Sequence, residues 1–127
     1  MVNYLLVALG SAVGGMARYA CSGLGVRLLG ETFPWGTLFV NVTGSLIIGA
    51  LAAIVPAESR ILTDNARDFL MIGVCGGFTT FSSFSLQTLN LARNGEWGAA
   101  AGYTLGSVVL CLAAVVIGYF GATALTR

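Results

Sequence analysis

Histidine is absent from this 127-residue chain, and only 9% of its residues carry charge. Without histidine there is no serine–histidine or cysteine–histidine pair for nucleophilic catalysis. There is no CxxC motif either, so zinc-type ligand clusters are excluded. No catalytic residues and no organic cofactor are expected, and the chain does not read as an enzyme. Lysine is missing too: all 6 basic residues are arginine, and the formal net charge is +1. Nucleic acid is thereby excluded as a partner, since it requires a basic patch. Soluble domains carry about 25% charged residues, so this chain cannot cover a water-facing surface with charge, and membrane lipid is its solvent. Disulfides are not expected. The cysteines, Cys21, Cys75 and Cys111, stand far apart in apolar stretches and read as small core residues. The N-terminus lacks the basic region of a signal peptide, and its apolar run continues too far for one.

What remains is apolar: 57% of residues are hydrophobic and the mean hydropathy is +0.89. A span requires about 20 such residues, and four candidates fit, near residues 4–29, 36–55, 69–91 and 97–125. The expected fold is an all-α membrane protein, a single four-helix transmembrane domain covering residues 1–127. "GETFPWG" joins the first two spans, with Trp35 as an interfacial aromatic beside a turn. "PAESRILTDNARD" is the most charged connector and has room for a short interfacial helix. "RNGE" predicts a tight Asn-Gly turn. Gly10 and Gly14, like Gly102 and Gly106, have the four-residue spacing that lets helix backbones approach closely in lipid.

Alternating spans would put Arg60, Arg67 and Arg127 on one side and Arg27 and Arg93 on the other. Positive charge normally sets orientation, and here the bias nearly vanishes. Either one arginine suffices to orient the chain, or it inserts both ways and pairs antiparallel with itself.

Polar residues inside the spans form a short inventory. "GGFTTFSSFS" (residues 76–85) opens with two glycines that weaken a helix near mid-span. The hydroxyls of Thr79 and Thr80 can compete there for freed carbonyls. Interrupted helices coordinate ions at this depth; a simple packing kink is the alternative. Phe81 and Phe84 lie three apart, and Ser83 and Gln87 four apart, so each pair stacks on one helix face. Phenyl edges carry partial positive charge, and the hydroxyls of Thr80, Ser82 and Ser83 can replace water around a small anion. Rings that only fill the core are the alternative. In the second span Thr37, Asn41 and Ser45 share a face, where Asn41 either glues helices or lines an anion path. Arg18 is the one charge well inside a span, about 12 Å from its nearer end, and such charges mark ion pathways. Tyr103 and Ser107, four apart in the fourth span, read as a packing hydrogen bond. The set offers donors without carboxylates, which suits an anion better than a cation or proton.

The residues "GGMAR", "PWGTLFVNVTGSLIIG", "GGFTTFSSFS" and "AAGYTLGS", in that order, resemble the Fluc (CrcB) fluoride channels over nearly the whole chain. The resemblance implies an antiparallel, dual-topology homodimer in the bacterial inner membrane, with two pores that export F⁻ passively and relieve fluoride toxicity. It implies a third helix broken near its middle. It assigns the pores to Phe81, Phe84, Asn41, Ser82, Ser83, Thr37 and Tyr103, and the vestibule to Arg18. It also implies a structural Na⁺ at the dimer interface, held by the backbone carbonyls of Gly76 and Thr79. Gln87 stands at the pore end where several relatives carry glutamate, so a carboxylate role there does not transfer.

Two other classes share this size. A small four-span multidrug exporter needs a carboxylate in its first span, and this chain has none there. A non-transporting assembly subunit would show no flux. If both insertions occur, adding two lysines after Arg127 should favour one orientation and lower function. Cysteine-accessibility labelling of a C-terminal reporter measures this, and a wild-type tail found on one side only would remove the dual-topology reading.

Overall fold

The computed structural model describes residues 1–55 and 64–126. Residues 56–63, with most of the connector expected to carry an interfacial helix, lie outside the described set, as do Arg60 and Arg127. Among the described residues four helical segments are long and apolar enough to cross a membrane: Val2–Leu29, Trp35–Ile54, Asp64–Arg93 and Trp97–Leu125.

The first two spans are single helices, α1 (Val2–Leu29) and α2 (Trp35–Ile54). Gly30 ends α1 with φ of +84° and returns its N–H to the Val26 carbonyl at 2.9 Å. Arg27 lies in the last turn of α1, where a cation complements the helix dipole. Pro34 stands at the N-cap of α2, a position that needs no N–H donor.

The third span is composite. It begins as α3 (Asp64–Arg67), widens into a π-helical stretch (Asp68–Cys75) and tightens again in α4 (Gly76–Phe78). Thr79 and Thr80 are extended, with φ/ψ of −85°/161° and −155°/124°. Helical geometry resumes in α5 (Phe81–Arg93). The glycines at which the sequence predicts weakness remain helical, and the chain leaves the helix three residues later. Gly77 is instead a contact point with α1, where only hydrogen fits. A Cβ there would sit 2.6 Å from the Ser11 carbonyl oxygen.

The Asn-Gly turn forms as its residues predict. Gly95 adopts φ of +82°. Its N–H bonds the Ala92 carbonyl at 3.0 Å, and the Glu96 N–H bonds the Leu91 carbonyl at 2.9 Å. This pairing satisfies the last carbonyls of α5. The fourth span, α6 (Trp97–Leu125), follows at once.

α2 packs chiefly against α6, and α1 against the π-helical stretch. Lipid supplies no hydrophobic force between helices, so backbone approach and polar bonds must hold them. Gly49 and Gly118 make that approach between α2 and α6: a Cβ on Gly118 would strike the Leu46 carbonyl, and one on Gly49 the Val115 carbonyl. Gly10 and Gly14 serve α1 in the same way against Phe69–Phe78. Gly102 and Gly106 do not. Nothing lies within 4 Å of a Cβ at either position, so that pair brings no backbones into close contact among the described residues. The buried cluster is small: Phe84, Leu91, Ala100 and Tyr103, with Phe33 and Leu38 against it. Leu9, Val109 and Phe120 point outward, as lipid-facing residues must. Cys75 is buried, Cys21 and Cys111 are half-buried, and all three are free thiols.

Gly118→Val is expected to destabilise the protein by about 1–3 kcal/mol through overpacking. Gly102→Ala should leave stability within about 0.5 kcal/mol. Thermal unfolding of the detergent-solubilised protein checks both.

Candidate functional site

In a continuous α-helix the Thr80 N–H would bond back to the Gly76 carbonyl. Here it donates to Asn41 Oδ1 at 2.8 Å, and Asn41 Nδ2 donates to the Thr80 carbonyl at 2.9 Å. One side chain on α2 thus pairs both backbone groups of an extended residue 39 positions away. Unpaired backbone groups cannot face lipid, and Asn41 is the reason the extended link is tolerated. By residue type and position Asn41 can either glue helices or line a path. It does the first with two bonds, and it also stands on the wall of a groove.

Thr80 then caps α5. Its hydroxyl accepts from the Ser83 N–H at 3.2 Å and donates to Ser83 Oγ at 3.2 Å, with Ser82 Oγ at 3.4 Å. Because Thr80 gives its proton to Ser83, the Ser83 proton is left to turn elsewhere. Thr79 donates its hydroxyl to the Cys75 carbonyl at 3.0 Å, a bond to the preceding turn. So Thr79 does compete for a helix carbonyl, while Thr80 serves as the cap.

Three cavities run along this seam. The first, about 410 Å³, is an open groove whose walls include Asn41, Thr79, Thr80, Phe81, Phe84 and Ser107. The second, about 360 Å³, is walled by Arg18, Thr37, Thr80, Ser83 and Gln87 among others. The third, about 450 Å³, is the mouth between the loops at residues 30–34 and 94–96, with Glu31, Asn90 and Glu96 at its edge. Thr80 walls both the first and the second. Thr37 and Gln87 wall both the second and the third. Arg18, Thr37, Asn41, Ser45, Thr79, Thr80, Ser83, Gln87 and Ser107, all singled out in the sequence, therefore fall along one succession of spaces, whereas Ser82 is exposed and lines none of them. The second cavity has no carboxylate on its walls, and Arg18, half-buried there, pairs with no described carboxylate.

The two phenylalanines differ sharply. Phe84 belongs to the buried cluster, while Phe81 is 78% exposed. Their ring centroids lie 5.4 Å apart at 46°. Phe81 is thus no core residue of this chain. Tyr103 is the most buried of the site residues at 1% exposure, and it stands behind the cavity walls. Its hydroxyl donates to Gln87 Oε1 at 2.9 Å. The expected Tyr103–Ser107 packing bond does not form. Ser107 Oγ, on the groove wall, is the one buried side-chain polar atom without a partner among the described residues. Phe33, which the sequence does not single out, meets the Tyr103 ring edge-on at 5.4 Å. It lies in a connector, where no periodicity marks it.

A cation held here would meet neutral oxygens. Among the described residues no group of three or more cysteines and carboxylates gathers as a metal site. Gly76 and Thr79 both line the open groove. The Thr79 carbonyl belongs to extended chain, and the Gly76 carbonyl has lost its usual donor to Asn41. Their oxygens therefore fit a weakly charged monovalent ion better than a divalent one.

The fold and seam define a multi-pass membrane protein with polar side chains ranged along adjoining cavities. The chain belongs to the CrcB-like family: the family model described as "CrcB-like protein, Camphor Resistance (CrcB)" matches residues 5–119. A protein of Opitutus terrae named fluoride-specific ion channel FluC is 58% identical, over 98% of this chain and 96% of its own length. One of the same name from Paramagnetospirillum magneticum is 51% identical over the whole of both chains. Another, from Methylocella silvestris, is 50% identical over 99% of this chain and 97% of its own.

Asn41→Leu should leave both Thr80 backbone groups unpaired and cost roughly 2–4 kcal/mol. Thr80→Val, which removes the capping hydroxyl and its bond to Ser83 Oγ but leaves the Asn41 pairing, should cost about 1 kcal/mol. Thermal unfolding ranks the two.

Proposed function

We propose that this protein is a fluoride channel, one that lets F⁻ leave the cell passively across the inner membrane. The observation that carries the reading is the seam itself: Arg18, Thr37, Thr80, Ser83 and Gln87 wall one cavity with donors and no carboxylate. The names of the relatives supply the anion. HF crosses lipid and ionises inside, and the resulting anion then needs a polar route outward.

In this reading the extended link at Thr79 and Thr80 is a working break in the third helix. The exposed ring of Phe81 and the buried ring of Phe84 offer their positive edges to the ion. The hydroxyls of Ser82 and Ser83 replace its water. The open groove beside Phe81 is completed by a second copy of the chain, inserted antiparallel. The nearly balanced arginines permit that dual topology. A sodium ion at the dimer interface, held by the Gly76 and Thr79 carbonyls, would supply positive charge where the two broken helices meet. No bond is made or broken along this path, so the protein is a channel and not an enzyme.

Fluoride release from liposomes containing the purified protein, followed with a fluoride electrode, tests the reading. Release that rises with protein density supports it. No release at any density favours an assembly subunit, and drug-coupled proton flux favours an exporter. Phe81→Ile keeps apolar bulk but removes the ring edge, so fluoride flux per folded dimer should fall at least about tenfold, a loss of about 1.4 kcal/mol of ion stabilisation. Size-exclusion elution provides the normalisation.

A further inference from the structure

Burying a phenol in a membrane helix bundle demands a partner for its hydroxyl, and the partner of Tyr103 is unusual. Its proton goes to Gln87 Oε1 at 2.9 Å, across 16 residues of sequence. The ring is clamped from two sides. Phe33 meets it at 5.4 Å and 79°, and Phe84 at 5.1 Å and 53°. At 1% exposure it has no room to swing. Gln87, by contrast, is half-buried and walls both the second cavity and the mouth.

A primary amide has an acceptor end and a donor end, and the two are easily exchanged by a half turn. In a path for anions the two orientations have opposite effects: N–H attracts the ion and C=O repels it. We infer that Tyr103 is a positioning residue, its phenol clamped by Phe33 and Phe84 so that it holds the Gln87 carbonyl and leaves the amide N–H donors to an anion passing between the mouth and the second cavity. The inference rests on the fluoride-channel reading. It gives Tyr103 a role although the residue walls neither cavity, and it brings Phe33 into the working site. It also accounts for an amide at this point of the chain. The neutral side chain needs an external donor to set its direction, and Tyr103 provides one.

Five variants test it in the liposome assay, three single and two double, each confirmed as folded by size-exclusion elution. Tyr103→Phe keeps the ring and its clamp but frees the amide to turn, so fluoride flux should fall at least about threefold. Gln87→Leu should lower flux as much or more. The double variant should match Gln87→Leu within about twofold, because the hydroxyl acts only through the amide. Phe33→Leu, which touches no polar group, should lower flux in the same direction and add nothing to Tyr103→Phe. A purely structural Tyr103 would instead give effects that multiply in the double variant, and that result would overturn the inference. So would Tyr103→Phe conducting at the wild-type rate. A second measurement does not depend on fluoride. The side-chain ¹⁵N–¹H₂ signal of Gln87, identified by its loss in Gln87→Leu, should shift in Tyr103→Phe; an unmoved signal shows that the bond is not there and overturns the inference. If wild-type liposomes release no fluoride, the channel reading fails and the proposed use of the amide fails with it. The amide signal then still decides whether Tyr103 orients Gln87.

Discussion

A backbone N–H or C=O inside a bilayer has no water to fall back on, and the third span depends on how that demand is met at Thr80. Asn41 meets it. Its carboxamide presents an acceptor and a donor side by side, as a neighbouring strand would, and it closes two bonds with a single extended residue. The consequences run outward from there. With its backbone paired, Thr80 is free to use its hydroxyl as the cap of α5. The cap starts a new helix at Phe81, and the new helix sets Phe81 outward and Phe84 inward. Ser82 and Ser83 gather at the cap because the first turn of a helix brings its hydroxyls together.

Close backbone contact holds the frame around this link. Gly49 and Gly118 bring α2 and α6 together, and Gly10 and Gly14 press α1 on the third span. That arrangement carries Asn41 to Thr80 and Tyr103 to Gln87. It also builds a chain of aromatic rings, from Phe81 through Phe84 and Tyr103 to Phe33 and Trp35, reaching from the groove to the mouth. In lipid such contacts must do what hydrophobic burial does in water, and accordingly the buried cluster is small and half aromatic.

The electrostatic layout follows the same division. Charges of both signs stand near the membrane surfaces, with Glu31 and Glu96 at the mouth. Exposed charges there are screened within about 8 Å at physiological salt. Deeper in, Arg18 stands among neutral donors. In the proposed channel, selectivity rests on the direction of these dipoles, so the orientation of each amide and hydroxyl matters as much as its presence.

Much of this was legible in the sequence. Hydropathy located four spans, because a bilayer core demands an unbroken apolar run whatever the fold. The Asn-Gly turn was legible because its φ is set locally. The residue types of the seam stood out because polar groups are costly in lipid and therefore rare. The position of the extended link was not legible. Gly76 and Gly77 are the weakest helix formers nearby, yet they stay helical, because Gly77 is needed for contact with Ser11 and because Asn41 reaches Thr80 instead. Nor did spacing show that Tyr103 would choose Gln87 over Ser107, or that Gly102 and Gly106 would bring no backbones into close contact among the described residues. The sequence by itself determined which groups must be buried and which must be paired, since those costs belong to each residue alone. Tertiary structure decided the partners, because a hydrogen bond forms only where helices distant in sequence bring donor and acceptor within about 3 Å.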